Sequence, residues 1–381
     1  MIEDIKIQGT DQKQKVVYKN QTSSKRKDTF FYVTLIYLIL MISFIIVRIL
    51  SSLNVLSFLG EFSSTAYTIL IQIVIMFILP IILYKFFCKK SLKEVFADFK
   101  FKKINYKSVF IAVAIGVLVY ILNIAISSFF SLIISLLGYE QISLGTSSTS
   151  EYTLGAFFAT LVTTALLPGF CEEIASRGML LKGFENLGVK KMIIFSGLLF
   201  GLMHLNIEQF FYASIIGCFL SFICIATGNI IPGMIIHFMN NGLSTYMSFA
   251  QVNDWPLGDV ISNLTYQSGT TPYFTSVLII FLILLLACFL LIWLVYLLIQ
   301  QTTGRKIKKL TSDLTKTIMD EQKEELQAKG VKYVNIHLPQ NILGFTSTQK
   351  YWPPLRHKIF LYSTFFIGGV ITLFTLIWGV L

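Results

Sequence analysis

The sequence predicts an all-α, polytopic transmembrane helical bundle of about eight to nine spans, with a polar site on spans four, five and seven. Three observations lead there. Several apolar runs reach the roughly 20 residues that a helix needs to cross a bilayer. Across 381 residues the chain is 55% hydrophobic, with a mean hydropathy of +0.71, too apolar for a soluble globular protein. The basic residues behind its net charge of +11 also gather in alternate loops, as the positive-inside rule demands. That pattern assigns the charge to topology and leaves no role for nucleic acid.

Residues 1–28 are polar and carry Lys6, Lys13, Lys15, Lys19, Lys25, Arg26 and Lys27. They are expected to form a cytoplasmic basic tail without regular structure, and they lack the apolar core of a cleavable signal peptide. The transmembrane domain is expected over 29–300. Its first span runs from Thr29 to Leu50 and leads into a loop with Glu61 and no cation. A second span, Thr65 to Phe87, ends at a strongly basic loop, Lys89 to Lys107. The third, Ser108 to Leu137, is long enough to tilt and leaves through a Ser/Thr-rich acidic loop.

Span four is expected from Tyr152 to Lys182, and a short span five from Lys191 to His204. Spans six and seven cover Phe210 to Thr227 and Ile230 to Phe249, and span eight runs from Tyr273 to Ile299. Residues 301–358 form a cytoplasmic insertion in which Ile307, Leu310, Leu314 and Ile318 recur at helical spacing, the mark of an amphipathic surface helix. Residues 359–381 supply the last span. With the N-terminus cytoplasmic, basic loops fall inside and acidic ones outside. The five cysteines (Cys88, Cys171, Cys218, Cys224, Cys288) show no metal-ligand spacing and read as small core residues.

Polar groups interrupt spans four, five and seven. They are Glu172, Glu173 and Arg177, then His204, then His237, Asn240 and Asn241. An ionised side chain at membrane depth costs on the order of 3 kcal/mol, so it normally has a partner and a task. Glu173 and Arg177 stand at i, i+4 and can form an ion pair. Glu172 is rotated by about 100° from Glu173 and is left free for chemistry. At about 1.5 Å of rise per residue, Glu172 lies roughly 15 Å from the anchor Lys182, and His204 roughly 20 Å from Lys191. By the same measure His237 and Asn241 lie roughly 10 and 17 Å into span seven. Three helices of alternating direction thus bring these groups to one layer.

Local spacing adds to this. His237 and Asn241 share a helix face at i, i+4, as do Phe200 and His204. Gly197 and Gly201 form a small-xxx-small pair that permits close helix approach. Pro168 and Gly169 weaken span four just before the acidic pair and open room for water. Each group alone has a plain structural reading: a packing histidine, a buried ion pair, or, for Asn241, Gln72 and Asn123, an amide joining two helices.

Together they suit hydrolysis. Glu172 is placed to deprotonate a water held by His204, and that water would attack a peptide carbonyl. Asn241, with His237, would donate to the developing oxyanion, a role typically worth about 10²–10³ in rate. The rival chemistry makes Glu172, His204 and His237 ligands of Zn²⁺, which would activate the water as a Lewis acid. No HExxH pair is present, so the metal-free reading, without a cofactor, is preferred and zinc kept as its alternative.

The order Glu172-Glu173-x-x-x-Arg177, Phe200-x-x-x-His204 and His237-x-x-x-Asn241 resembles the three motifs of the CPBP family of CAAX proteases and bacteriocin-processing enzymes. The resemblance covers about residues 150–250. It implies an intramembrane endopeptidase whose cavity opens to the cytosolic side. Glu172 would be its water-activating base, His204, His237 and Asn241 its companions, and Glu173 and Arg177, with Phe200, its support. The family's mechanism is described both as glutamate-type and as metal-dependent. The insertion 301–358 and the span after it depart from the family pattern.

The Lys, Ile, Phe and Asn bias points to a bacterial plasma membrane, with membrane lipid and a peptide or lipidated, lipoprotein-like peptide as partners. The family's bacterial members also link it to bacteriocin immunity. Two other classes use the same residues: a transporter relaying protons or ions, for which no inverted repeat is visible, and a catalytically silent immunity or scaffold protein.

Overall fold

A computed structural model describes residues 5–8, 15–18, 22–140, 153–258, 273–304 and 355–380. Most of the expected insertion, 305–354, lies outside the described residues. The described chain is helical apart from one hairpin, β1 (Ile5–Gln8) against β2 (Lys15–Tyr18), antiparallel with Ile5 opposite Tyr18 and Gln8 opposite Lys15. This corrects the expectation of a structureless tail. Both strands alternate apolar and polar residues and are rich in β-branched side chains, the composition that suits a pleated ribbon.

Helices α1 (Thr22–Ser52), α2 (Ser63–Phe87), the short α3 (Leu92–Asp98) and α4 (Tyr106–Leu136) come first. They are followed by α5 (Leu154–Phe184), α6 (Val189–Leu202), α7 (Ile207–Thr227) and α8 (Ile231–Val252). Helices α9 (Tyr273–Thr303) and α10 (Leu355–Val380) complete the bundle. Their starts follow from local chemistry. Asn105 caps α4 by accepting from the Ser108 N–H at 2.8 Å, and Thr153 caps α5 through Ala156 at 3.1 Å. Asn206 caps α7 through Glu208 at 2.8 Å. Each satisfies a backbone donor that the first helical turn leaves open. Gly228, at φ 60°, ends α7 in the left-handed conformation.

Seven of the nine expected spans are long and apolar enough to cross a membrane, among the described residues. The other two are α6 and α8, which lead to His204 and carry His237. Helix α6 has 14 residues, about 21 Å, short of a hydrocarbon layer of about 30 Å. Helix α8 has 22 residues but spends its polarity on His237, Asn240, Asn241, Ser244 and Thr245.

Lipid is as apolar as leucine, so close packing and polar contacts must hold such a bundle together. Helices α6 and α7 show the first. A Cβ on Gly197 would stand 2.3 Å from Cys218 Sγ, and one on Gly201 would stand 2.1 Å from Ser214 Oγ and 2.7 Å from the Phe210 carbonyl. Gly201→Ala therefore has to push α7 away. We expect it to lower stability by about 1–3 kcal/mol, read as a drop in thermal midpoint in detergent, and to lower activity because His204 follows three residues later.

The two ends of the bundle differ. At one, Asp98 gathers Tyr84 Oη at 2.8 Å, Lys90 and, at 3.5 Å, Lys182. Lys182 also meets Glu185 at 2.9 Å, and Asn229 donates to the Lys102 carbonyl at 2.9 Å. Burial alone would raise the Asp98 carboxyl, but the Lys90 hydrogen bond and the Lys182 charge outweigh it and hold it below its ordinary value. At the other end Tyr139 donates to Glu208 at 2.9 Å, Arg48 reaches the His204 carbonyl at 3.4 Å, and the Ile207 N–H bonds Thr375 Oγ1 at 3.0 Å.

Candidate active site

The acidic pair sits on a helix that is not regular. The stretch Leu167–Glu173 is α-helical, but π-helical turns precede it (Val162–Leu166) and follow it (Ile174–Leu180). Such wide turns recur at functional sites. Pro168 has no N–H, so the Thr164 carbonyl four residues earlier lacks its α-helical donor. Asn241 Nδ2 takes that carbonyl at 3.2 Å. The proline thereby ties α5 to the polar face of α8.

Glu173 is fully buried. Its Oε1 accepts from Arg177 Nη1 at 2.7 Å and meets His237 Nδ1 at 3.0 Å. Arg177 is equally buried, donates its other terminal nitrogen to the Gly217 carbonyl at 2.9 Å, and lies 4.4 Å from the centre of the Phe200 ring. An arginine stays protonated in proteins, so its partner Glu173 is a carboxylate and can only accept. His237 Nδ1 must then carry a proton, so a singly protonated ring presents a lone pair at Nε2. That lone pair faces Glu172 Oε2 at 4.0 Å. In that form His237 can hold a water through Nε2; with both nitrogens protonated, Nε2 would donate instead.

Glu172 keeps 13% of its side-chain surface, and Gln72 on α2 donates to its Oε1 at 2.8 Å. One oxygen is held, and the other looks into a cavity of about 350 Å³. Gln72, Glu172, Phe200, His204, His237 and Asn241 all wall that cavity. His204 lies in the turn that links α6 to α7, just beyond the helix on which it was expected, and Leu205 beside it takes φ 51°. The Phe200 ring meets both imidazoles edge-on, at 5.3 Å from His204 and 5.8 Å from His237. One aromatic ring thus spaces the two histidines and shields the arginine beneath.

Two residues read from sequence as simple helix–helix contacts belong to the site. Gln72 is one. Asn123 on α4 is the other: it donates to Asn240 Oδ1 at 3.2 Å, and Asn240 donates to Asn241 Oδ1 at 2.9 Å. This chain runs from α4 through α8 to the Thr164 carbonyl on α5 and fixes the Asn241 carboxamide. The sole sequence signal was an amide inside an apolar helix, and its partner lies about a hundred positions away for both residues.

A metal would draw on Glu172, His204 and His237. His237 would offer Nε2, with its Nδ1 held by Glu173 at 3.0 Å as an outer-shell carboxylate holds a metal-binding histidine; among the described residues no group of three His, Cys, Asp or Glu side chains is arranged to hold an ion.

Residues 154–243 match the family model described as Type II CAAX prenyl endopeptidase Rce1-like. The match begins at the start of α5 and ends just past Asn241, so it holds both glutamates, the arginine, both histidines and the asparagine. No curated protein and no solved structure gives a match to the chain. Segment 154–243 is thus similar to the CAAX-type prenyl endopeptidases, which supports the resemblance to the CPBP family carried by the three motifs.

Proposed function

We propose that this protein is an intramembrane endopeptidase that hydrolyses a peptide bond of a membrane-associated, in some cases lipidated, peptide, with Glu172 as the water-activating base. The observation that carries this reading is the facing pair Glu172 Oε2 and His237 Nε2, 4.0 Å apart at the wall of a polar cavity. Two acceptors at that separation do not bond each other; a water between them can donate to both. Glu172 takes one proton from that water as its oxygen attacks the carbonyl carbon. The oxyanion accepts from Asn241 Nδ2, which leaves the Thr164 carbonyl for it. Glu172 then returns the proton to the leaving nitrogen as the C–N bond breaks. His204, which lines the same cavity, steadies the water or the carbonyl. No step calls on a metal.

Purified protein mixed with membrane peptides in detergent is expected to create new peptide termini detectable by mass spectrometry. If no termini appear with any fraction, the reading fails. Asn241→Ala should lower kcat by about 10²–10³ while KM changes little, because the donor acts on charge that develops only in the transition state. A rise in KM at constant kcat would instead make Asn241 a substrate-binding amide.

A further inference from the structure

The cavity has a direction. On α5 it is walled from Thr163 to Glu172, on α7 from Gln209 to Ile216, and on α8 from His237 to Thr245. At about 1.5 Å per residue, these stretches begin roughly 18, 16 and 9 Å from the helix ends that carry the basic loops. They reach toward the other end, where Gln209, Thr68, Ser244 and Thr163 come within roughly 3–14 Å of the last turns. Four polar, uncharged side chains from four helices thus rise from the acidic floor to the end of the bundle that holds the Tyr139–Glu208 contact.

The floor is closed toward the basic end. Every residue from Ile174 to Leu180 is buried. A Cβ on Gly178 would stand 2.9 Å from the Phe99 ring, which comes from the basic loop, and one on Gly233 would stand 3.2 Å from Glu173 Oε2. The charge of the two ends differs just as sharply. Lys90, Lys100, Lys102, Lys182 and Asp98 crowd the closed end. The described loops 53–62, 137–140, 203–206 and 253–258 at the open end contain no Lys or Arg.

By the positive-inside rule the closed end faces the cytosol. We infer that the cavity is entered from the extracytoplasmic face, and that its substrate is a peptide segment lying at the outer surface of the membrane. The side of access stands on geometry and charge, whereas the substrate class rests also on the protease reading. This reverses the cytosolic opening that the family resemblance implies. It fits a wall of hydroxyls and amides, which can bond an extended peptide backbone; among the described residues no Lys or Arg lines that wall.

The test separates the two parts. Ser244→Cys and Gln209→Cys, each in the full chain, are exposed in intact cells to a membrane-impermeant sulfonated thiol reagent, with Lys103→Cys on the basic loop as reference and the wild-type cysteines as baseline. Labelling of either cavity cysteine in intact cells, with Lys103→Cys labelled only after permeabilisation, is the expected result. Cavity cysteines that react only after permeabilisation, or a Lys103→Cys that reacts without it, overturn the inference whatever the enzyme does. New peptide termini that depend on Glu172 are then mapped in membranes from cells with the wild type and with Glu172→Gln. Termini on outer segments support the substrate class, and termini on cytosolic segments overturn it. Their complete absence counts against the protease reading and leaves the labelling result to decide the side of access.

Discussion

Glu172→Gln is expected to abolish measurable cleavage while leaving the fold in place. The amide has the shape of the acid, and its oxygen can still accept from Gln72 Nε2, the contact that holds Oε1 at 2.8 Å. The side chain lies at the cavity wall, and among the described residues its ionisable neighbour within 4.0 Å is His237, so removing its charge orphans nothing. What is lost is the ability to take a proton. General bases typically contribute about 10²–10⁴ in rate, and kcat should fall at least that far with KM little changed. Thermal unfolding in detergent should move by less than about 1 kcal/mol equivalent. Glu172→Asp makes a sharper control. It keeps the charge but withdraws the carboxylate from both Gln72 and the His237 lone pair, so it should keep partial activity. A Glu172→Gln protein that cleaves at the wild-type rate would remove the base from the mechanism altogether.

Seven of the expected spans were legible because an apolar run of sufficient length has one outcome in a bilayer. The Glu173–Arg177 contact was legible because i, i+4 on a helix brings two long side chains together whatever else surrounds them. His204, where the sequence places the end of span five, stands two residues past the end of α6. Its segment reads as a continuous apolar helix, yet Asn206 caps α7 and forces the chain to turn before it. That cap is visible in the sequence and outweighs the hydropathy of a 14-residue helix. The π-helical turns around Glu172 have no marker beyond Pro168, because widening a helix depends on what can take up the freed carbonyl. Here Asn241 takes it, from a helix about eighty residues later. The strands Ile5–Gln8 and Lys15–Tyr18 show in the alternation of their apolar residues, a signal masked by the charge that dominates the composition of the tail.

Arg177→Ala is expected to be the most destabilising single change in the site. The guanidinium is buried and bridges three elements: Glu173 on its own helix at 2.7 Å, the Gly217 carbonyl on α7 at 2.9 Å, and the Phe200 ring on α6 at 4.4 Å. Truncation leaves a buried carboxylate facing only an imidazole, an orphaning that typically costs about 3–5 kcal/mol. Arg177→Lys should not rescue it, since one ammonium cannot reproduce the planar fork that reaches two acceptors and stacks on a ring. Removing both charges tests what the pair is for. The double variant Glu173→Gln with Arg177→Met should recover much of the lost stability, because a well-packed neutral pair avoids the cost of a buried ion. It should not recover activity. A glutamine no longer compels the proton onto His237 Nδ1, so Nε2 ceases to be a dependable acceptor opposite Glu172, and kcat should stay about 10–100-fold low, as for other carboxylate–histidine pairs. Denaturation midpoints and kcat measured on the two single variants and the double variant complete the cycle. Stability and rate recovering together would make the ion pair a purely structural clamp; recovery of stability alone assigns Glu173 the orientation of the imidazole.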